Sequence, residues 1–166
     1  MTSISADGMV ISEIETREAT SGSKFQNGDT LFARITPCLE NGKTAFVQFL
    51  PDASTPACGS TELIVLRGRQ VPPEFVYCLA RSEEFRGHAI KSMSGASGRQ
   101  RVQEACFESF FLATPPQSLA REFSKLLGPS FSQVQTLHLR IRTLRRTRDL
   151  LLPRLLSGQL AVGDVE

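Results

Sequence analysis

The stretch FSKLLGPSFSQVQTLHLRIRTLRRTRDLLLPRLL, residues 123–156, decides how the rest of the chain is read. Apolar side chains fall at Phe123, Leu127, Val134, Leu137, Ile141, Leu144 and Leu151. From Val134 the steps are three, four, three and then seven, the a/d spacing of a helix with a narrow apolar seam. Arg148 takes the a position that the repeat would give to an apolar residue. Beside the seam lie Arg140, Arg142, Arg145, Arg146 and Arg148, with only Asp149 to oppose them. One apolar stripe cannot be satisfied within one helix; it must lie on another surface. At about 1.5 Å per residue, a helix from Ser130 to Leu152 spans roughly 35 Å. Two arrangements fit: a strut that projects from a globular body toward a partner, or an amphipathic helix folded back on its own core.

The chain has 166 residues, enough for one domain and an appendage. It is 40% hydrophobic and 22% charged, an ordinary soluble composition, with no Trp and a single Tyr. The net charge of +2 does not by itself announce nucleic acid; its distribution matters more. Basic residues gather at Arg99–Arg101 and in the terminal helix, acidic ones at Asp7, Glu13, Glu15 and Glu18. No run is long and apolar enough to cross a bilayer, and the N-terminus lacks the basic-then-apolar order of a signal peptide, so a cytoplasmic chain with no membrane contact is expected. There the cysteines Cys38, Cys58, Cys78 and Cys106 stay reduced, and we read them as small buried hydrophobes. They form no close pair, and His88 and His138, expected on helix surfaces, are not near one; no metal and no cofactor is expected.

Residues 1–24 read as a loosely ordered segment or the remnant of a longer domain, with Met9-Val10-Ile11 a possible short strand. Asn27-Gly28-Asp29 is a turn. Strands are expected at 30–36, 44–50 and 60–66, with a compact loop at Cys38–Lys43 and another at Pro51–Gly59. Pro72-Pro73 opens a helix that buries Phe75, Val76, Leu79 and Ala80. A second helix runs from Glu83 to Ser92 with Phe85, Ala89 and Ile90 inward and Gly87 weakening it. Met93–Gly98 is a flexible loop, Ser109–Ala113 a short strand. Gly128-Pro129 interrupts the terminal helices, one over about 118–127 and one over 130–152. No internal repeat is present. The order gives an α+β fold: a mixed sheet with helices, then a long C-terminal helix of coiled-coil type.

Three polar clusters could carry chemistry. Arg34, Thr36, Glu40, Asn41 and Lys43 surround the first strand–loop–strand. Gly59-Ser60-Thr61-Glu62 is the second cluster. The third is Ser94-Gly95-Ala96-Ser97-Gly98-Arg99-Gln100-Arg101. Small residues let backbone N–H groups approach a phosphate, Arg can grip phosphate or guanine in a fork, and Gln can pair with adenine. The third cluster therefore has both the positioning and the reading chemistry of a DNA contact, though a solvated turn with surface charges would look the same. Ser60 and Thr61 could bond DNA or merely close the Gly59 turn; Glu62 could accept from cytosine or simply be an exposed strand residue. Glu40, Asp52, Glu62 and Lys43 faintly suggest a metal-dependent nuclease, but the acid-x-Lys spacing is missing. No nucleophile elbow and no phosphate-binding Gly-Lys-Ser/Thr loop is present.

Taken in order, these stretches resemble the specificity subunit of type I restriction–modification systems. The resemblance rests on Gly28-Asp29-Thr30-Leu31-Phe32-Ala33-Arg34-Ile35-Thr36-Pro37-Cys38-Leu39-Glu40-Asn41-Gly42-Lys43, on Gly59–Glu62, on Ser94–Val102 and on the ending Arg148–Gly158. It runs from about Gly22 to Leu160. It implies a target-recognition domain over 1–116, N-terminally incomplete, a helical spacer and dimerisation arm over 117–157, and a tail over 158–166. Such a chain would be a natural half-subunit, a fragment of a longer gene or an artificially cut piece.

What the resemblance implies for function is recognition of double-stranded DNA without catalysis. Arg34, Lys43, Arg99 and Arg101 would neutralise phosphates or read guanine, Asn41 and Gln100 would contact base edges, and Ser60, Thr61 and Ser97 would line the same surface. The seam Val134, Leu137, Ile141, Leu144 and Leu151 would hold the modification (methyltransferase) subunit or a second copy of the chain, with the restriction subunit joining the larger complex. The alternatives are the nuclease and a helical interaction remnant without DNA specificity.

Overall fold

Thr30-Leu31-Phe32-Ala33 forms a strand, β2, buried along its whole length. The computed structural model describes residues 3–15, 21–52, 55, 57–96 and 98–160. β2 (Thr30–Ala33) lies between β3 (Thr44–Phe46) and β5 (Leu63–Leu66), antiparallel to both. Leu31 stands opposite Ala45 and Val65, and Phe32 opposite Thr44 and Ile64. Alternation along a strand sends these two sets to opposite faces. On one face Phe32 and Ile64 pack with Leu39, Ala80, Phe85, Ala89 and Val102. On the other, Leu31, Ala45, Val47 and Leu63 meet Ile4 and Phe25. A two-stranded ribbon, β1 (Ser23–Phe25) with β4 (Ala57–Gly59), carries Phe25 to that second face. The three expected strands are present but shorter; single in-register bonds continue past their ends, from Arg34 N to Glu62 O and from Val47 N to Asp29 O, while Ser60 O accepts from Leu63 N and closes a turn.

Helix α1 (Pro73–Arg81) begins at the double proline and buries Val76 and Ala80. Ser82 ends it and caps α2 (Glu83–Lys91): its N–H donates to Leu79 O at 2.9 Å, and its Oγ accepts from Phe85 N at 3.3 Å. Phe85 and Ala89 face inward as expected, whereas Ile90 is exposed. A 3-10 helix (Glu104–Ser109) follows.

Several expectations are corrected. The N-terminal stretch is not loose where it is described: Ile4 and Met9 are buried, Ile4 bridges Ile11, and Met9 O accepts from Phe46 N at 2.8 Å. Residues 1–2 and 16–20 lie outside the described residues. The expected loop before Gly59 ends in β4, whose residues have little strand preference and are held by pairing with β1. The expected strand at Ser109–Ala113 does not form. Phe110 turns its ring onto Phe85 and His88 instead, at 5.1 and 5.3 Å, and the segment has no strand to pair with among the described residues. Cys78 is exposed and the other cysteines are half-buried rather than buried as expected, with Cys106 packed against the Phe32–Phe85 cluster. His88 is no surface histidine either; its Nε2 lies 2.8 Å from Cys106 O. His138 is half-buried.

The terminal helices are one helix, α3 (Gln117–Leu156), 40 residues long and about 60 Å in extent. Gly128-Pro129 does not break it. Pro129 and Lys125 are exposed, so the Lys125 carbonyl that loses its helical donor can bond water. The turns on either side are held: Phe123 packs on Phe75 at 5.8 Å, and Phe131 on Phe46 at 5.0 Å and Tyr77 at 5.5 Å. Ser124 Oγ also donates to Glu74 Oε2 at 3.1 Å, and Gln48 Nε2 to Phe131 O at 3.1 Å. From Leu139 to Leu156 every residue is exposed. Of the two arrangements the sequence allowed, the helix is the projecting strut. No helix among the described residues is long and apolar enough to cross a membrane.

Candidate nucleic-acid interface

The three polar clusters, far apart in sequence, meet at the end of β2, and Arg34 joins them. Its N–H donates to Glu62 O at 3.0 Å, and its carbonyl accepts from Val102 N at 2.8 Å. Its side chain turns the same way: Nε donates to Val102 O at 2.9 Å, Nη2 to Gln103 Oε1 at 3.3 Å, and Nη1 stands 3.8 Å from Glu104 Oε1. Arg34 thus fastens the third cluster to the sheet, with only 18% of its side chain exposed. Thr36 continues the seam, its N–H and hydroxyl donating to Gln100 O at 3.0 and 3.1 Å. Gln100 is half-buried.

Arg101 is fixed at both ends. Its backbone exchanges hydrogen bonds with Ser94, at 2.9 and 3.1 Å, closing the Ser/Gly loop, and it also bridges Ile35. Its guanidinium grips Glu62: Nε lies 2.9 Å from Oε2, and Nη2 lies 2.7 Å from Oε1. That bond, opposed by burial and reinforced by the charges of Arg101 and Arg34, holds the Glu62 carboxyl below its ordinary pKa. Within the loop, Gly95 takes φ +124° with Arg99 O close beside it, a conformation that needs glycine. Arg99 is exposed at the loop's end. Ser97 lies outside the described residues.

The Cys38–Lys43 loop is held from below. Arg81 Nη1 donates to Gly42 O at 2.9 Å and to Ala6 O at 2.8 Å, while Arg86 Nη2 donates to Leu39 O. Burial, then the Arg81 charge, lowers the Arg86 pKa. Asn41 stands exposed at the tip and Lys43 is half-buried. Ser60 and Thr61 are exposed on the turn before β5, where Ser60 Oγ accepts from Glu62 N at 3.1 Å. Two of the three nuclease acids are otherwise engaged, Glu62 on Arg101 and Asp52 on Thr55 N at 2.7 Å, while Glu40 stands exposed. Among the described residues no three His, Cys, Asp or Glu side chains gather as a metal site.

Sequence reading singled out the clusters but not what joins them. In the sequence Glu62 reads as an acceptor for cytosine or an exposed strand residue, and Gln103, Glu104, Arg81 and Arg86 carry no signal. Their spacing from their partners follows no local pattern. The seam residues Val134, Leu137, Ile141, Leu144 and Leu151 are all exposed on the projecting half of α3, far from these clusters in the chain.

No protein-family model matches the chain. It is 29% identical over 109 residues to the type I restriction enzyme EcoEI specificity subunit of Escherichia coli, covering 62% of this chain and 18% of that one. To the EcoAI specificity subunit of the same organism it is 33% identical over 94 residues, 55% of this chain and 16% of the relative. To the MjaIX specificity subunit of Methanocaldococcus jannaschii it is 29% identical over 91 residues, 55% and 20%. The chain thus spans no more than a fifth of these relatives, and over more than half of its own length it is similar to specificity subunits of type I restriction enzymes, as its motifs implied.

Proposed function

We propose that the chain is a DNA-recognition module of a type I restriction–modification complex and has no catalytic role of its own. Residues 1–116 form the recognition body, 117–157 the arm and 158–166 a tail. The supporting observation is the meeting of three polar clusters at one end of the sheet, in a chain similar to specificity subunits. Arg99 and Arg101 offer cations from one short loop, and Asn41, Ser60 and Thr61 stand exposed on the turns around them. Cations position a protein on phosphates; forked donors and amides read base edges.

The arm would carry the modification subunit, which supplies the chemistry, with the restriction subunit joining the larger complex in the cytoplasm. Its own charges favour such a partner over a second copy. The positions flanking the seam include Arg140, Arg145 and Arg154, and Arg148 lies within it. Two such arms side by side would set arginine against arginine, whereas an apolar stripe edged with carboxylates would be complemented. An interaction module that never touches DNA is the second reading, favoured by the exposed seam.

The test is fluorescence anisotropy with duplex DNA, using the full chain with and without its modification subunit. The Arg99→Ala, Arg101→Ala double variant should lose sequence-specific binding while still melting in a single cooperative transition, at a temperature somewhat lowered by the loss of the Glu62 partner. Unchanged DNA affinity would remove this loop from the interface. Complex formation without any DNA specificity would establish the second reading.

A further inference from the structure

We infer that Glu62 is the positioning residue for Arg101, and that the pair acts as one unit reading a guanine. The inference rests on the DNA-recognition reading above and specifies it.

The geometry is directional. A guanidinium has five N–H donors in a plane. Glu62 takes the Nε side, engaging Nε and one Nη2 hydrogen. The opposite edge keeps both Nη1 hydrogens and the second Nη2 hydrogen, and 45% of the Arg101 side chain is exposed. Two parallel donors on one edge match the O6 and N7 acceptors of guanine in the major groove. An unheld arginine must give up much of its rotamer freedom to make that contact. Here the cost is met in folding, because the carboxylate fixes the plane of the guanidinium.

The support is itself rigid. Glu62 is bound at its backbone to Arg34, and Arg101 is bound on both sides of its own peptide to Ser94. Val102, next in the chain, is fully buried and bonded to Arg34. Both partners of the pair therefore hang from the same residue, and neither can shift without breaking backbone bonds. Arg99, two residues earlier, is exposed at the loop's end. The two arginines divide the work: Arg101 reads, and Arg99 neutralises phosphate.

The experiment is selection of random duplexes by the full chain with its modification subunit, comparing wild type with Glu62→Gln, Glu62→Ala and Arg101→Ala. Melting temperatures verify that each variant is folded; Glu62→Gln keeps the shape of the side chain. Arg101→Ala and Glu62→Ala should flatten the preference for guanine at the same single base pair, on the order of ten-fold or more, leaving other positions intact. Glu62→Gln should flatten it less. An unchanged preference profile in the Glu62 variants, or tighter binding to all sequences, would overturn the positioning role while leaving DNA recognition standing. Failure of wild type to enrich any sequence would instead overturn the DNA-recognition reading, and this inference with it.

Discussion

Phe131 meets Phe46 edge-on, ring centroids 5.0 Å apart and planes 89° apart, and this contact fixes the long helix to the sheet. Tyr77 closes the same cluster from α1, and Met9 from the N-terminal stretch. Phe131→Ala would empty a site in which the ring is only 9% exposed. We expect a loss of about 3–5 kcal/mol in urea denaturation. A smaller loss, under about 1 kcal/mol, would mean that the helix is held mainly at Phe123.

Gly128-Pro129 sits inside α3 although both residues disfavour helix interiors. A Cβ at Gly128 would meet nothing nearer than Glu74 Oε1 at 3.6 Å, an ordinary contact. Gly128→Ala should therefore raise stability by roughly 0.5–1 kcal/mol. Pro129→Ala restores a donor for the Lys125 carbonyl and should raise it by up to about 3 kcal/mol. Thermal melts decide both. A fall in either would show that the pair has a packing role.

The Glu62 carboxyl is held below its ordinary value of 4.5 by the bond to Arg101. A lowered carboxylate contributes stability above its unfolded pKa and loses it as pH falls through the folded value. The difference in melting temperature between wild type and Glu62→Gln should thus be constant at neutral pH and shrink below about pH 4.5. A difference that grows in acid would contradict the pairing.

Leu137 and Leu144 are 45% and 67% exposed, so Leu137→Asp and Leu144→Asp should change stability by less than about 0.5 kcal/mol. The same changes should abolish binding to the modification subunit in a pull-down. Light scattering of the chain alone should give a monomer at low salt. A dimer there would mean that apolar burial outweighs the facing arginines.

Much of the scaffold could be read from one dimension. β2, β3 and β5 announce themselves as apolar, β-branched runs, and Pro72-Pro73 marks a helix start whose chemistry is local. β4 could not be read this way, because Ala57-Cys58-Gly59 is a strand only through β1, more than thirty residues earlier in the chain. α3 looked like two helices because Gly-Pro is a local stop signal, and the aromatic anchors that override it come from other elements. The site divides in the same way. Arg34, Glu62 and Arg101 were each visible as polar residues in a motif. Their closure into a frame depends on contacts 28 to 69 residues apart, which no spacing rule contains.

The arm's continuity past Phe131 makes it a lever. From Phe131 to Leu156 the helix runs on for some 38 Å at 1.5 Å per residue, with its aromatic bearing at one end. A rotation of about 10° in that bearing sweeps the far end through roughly 6–7 Å. The ring angles among Phe46, Tyr77 and Phe131 therefore set where anything seated on Leu151 would stand relative to the Arg101 loop.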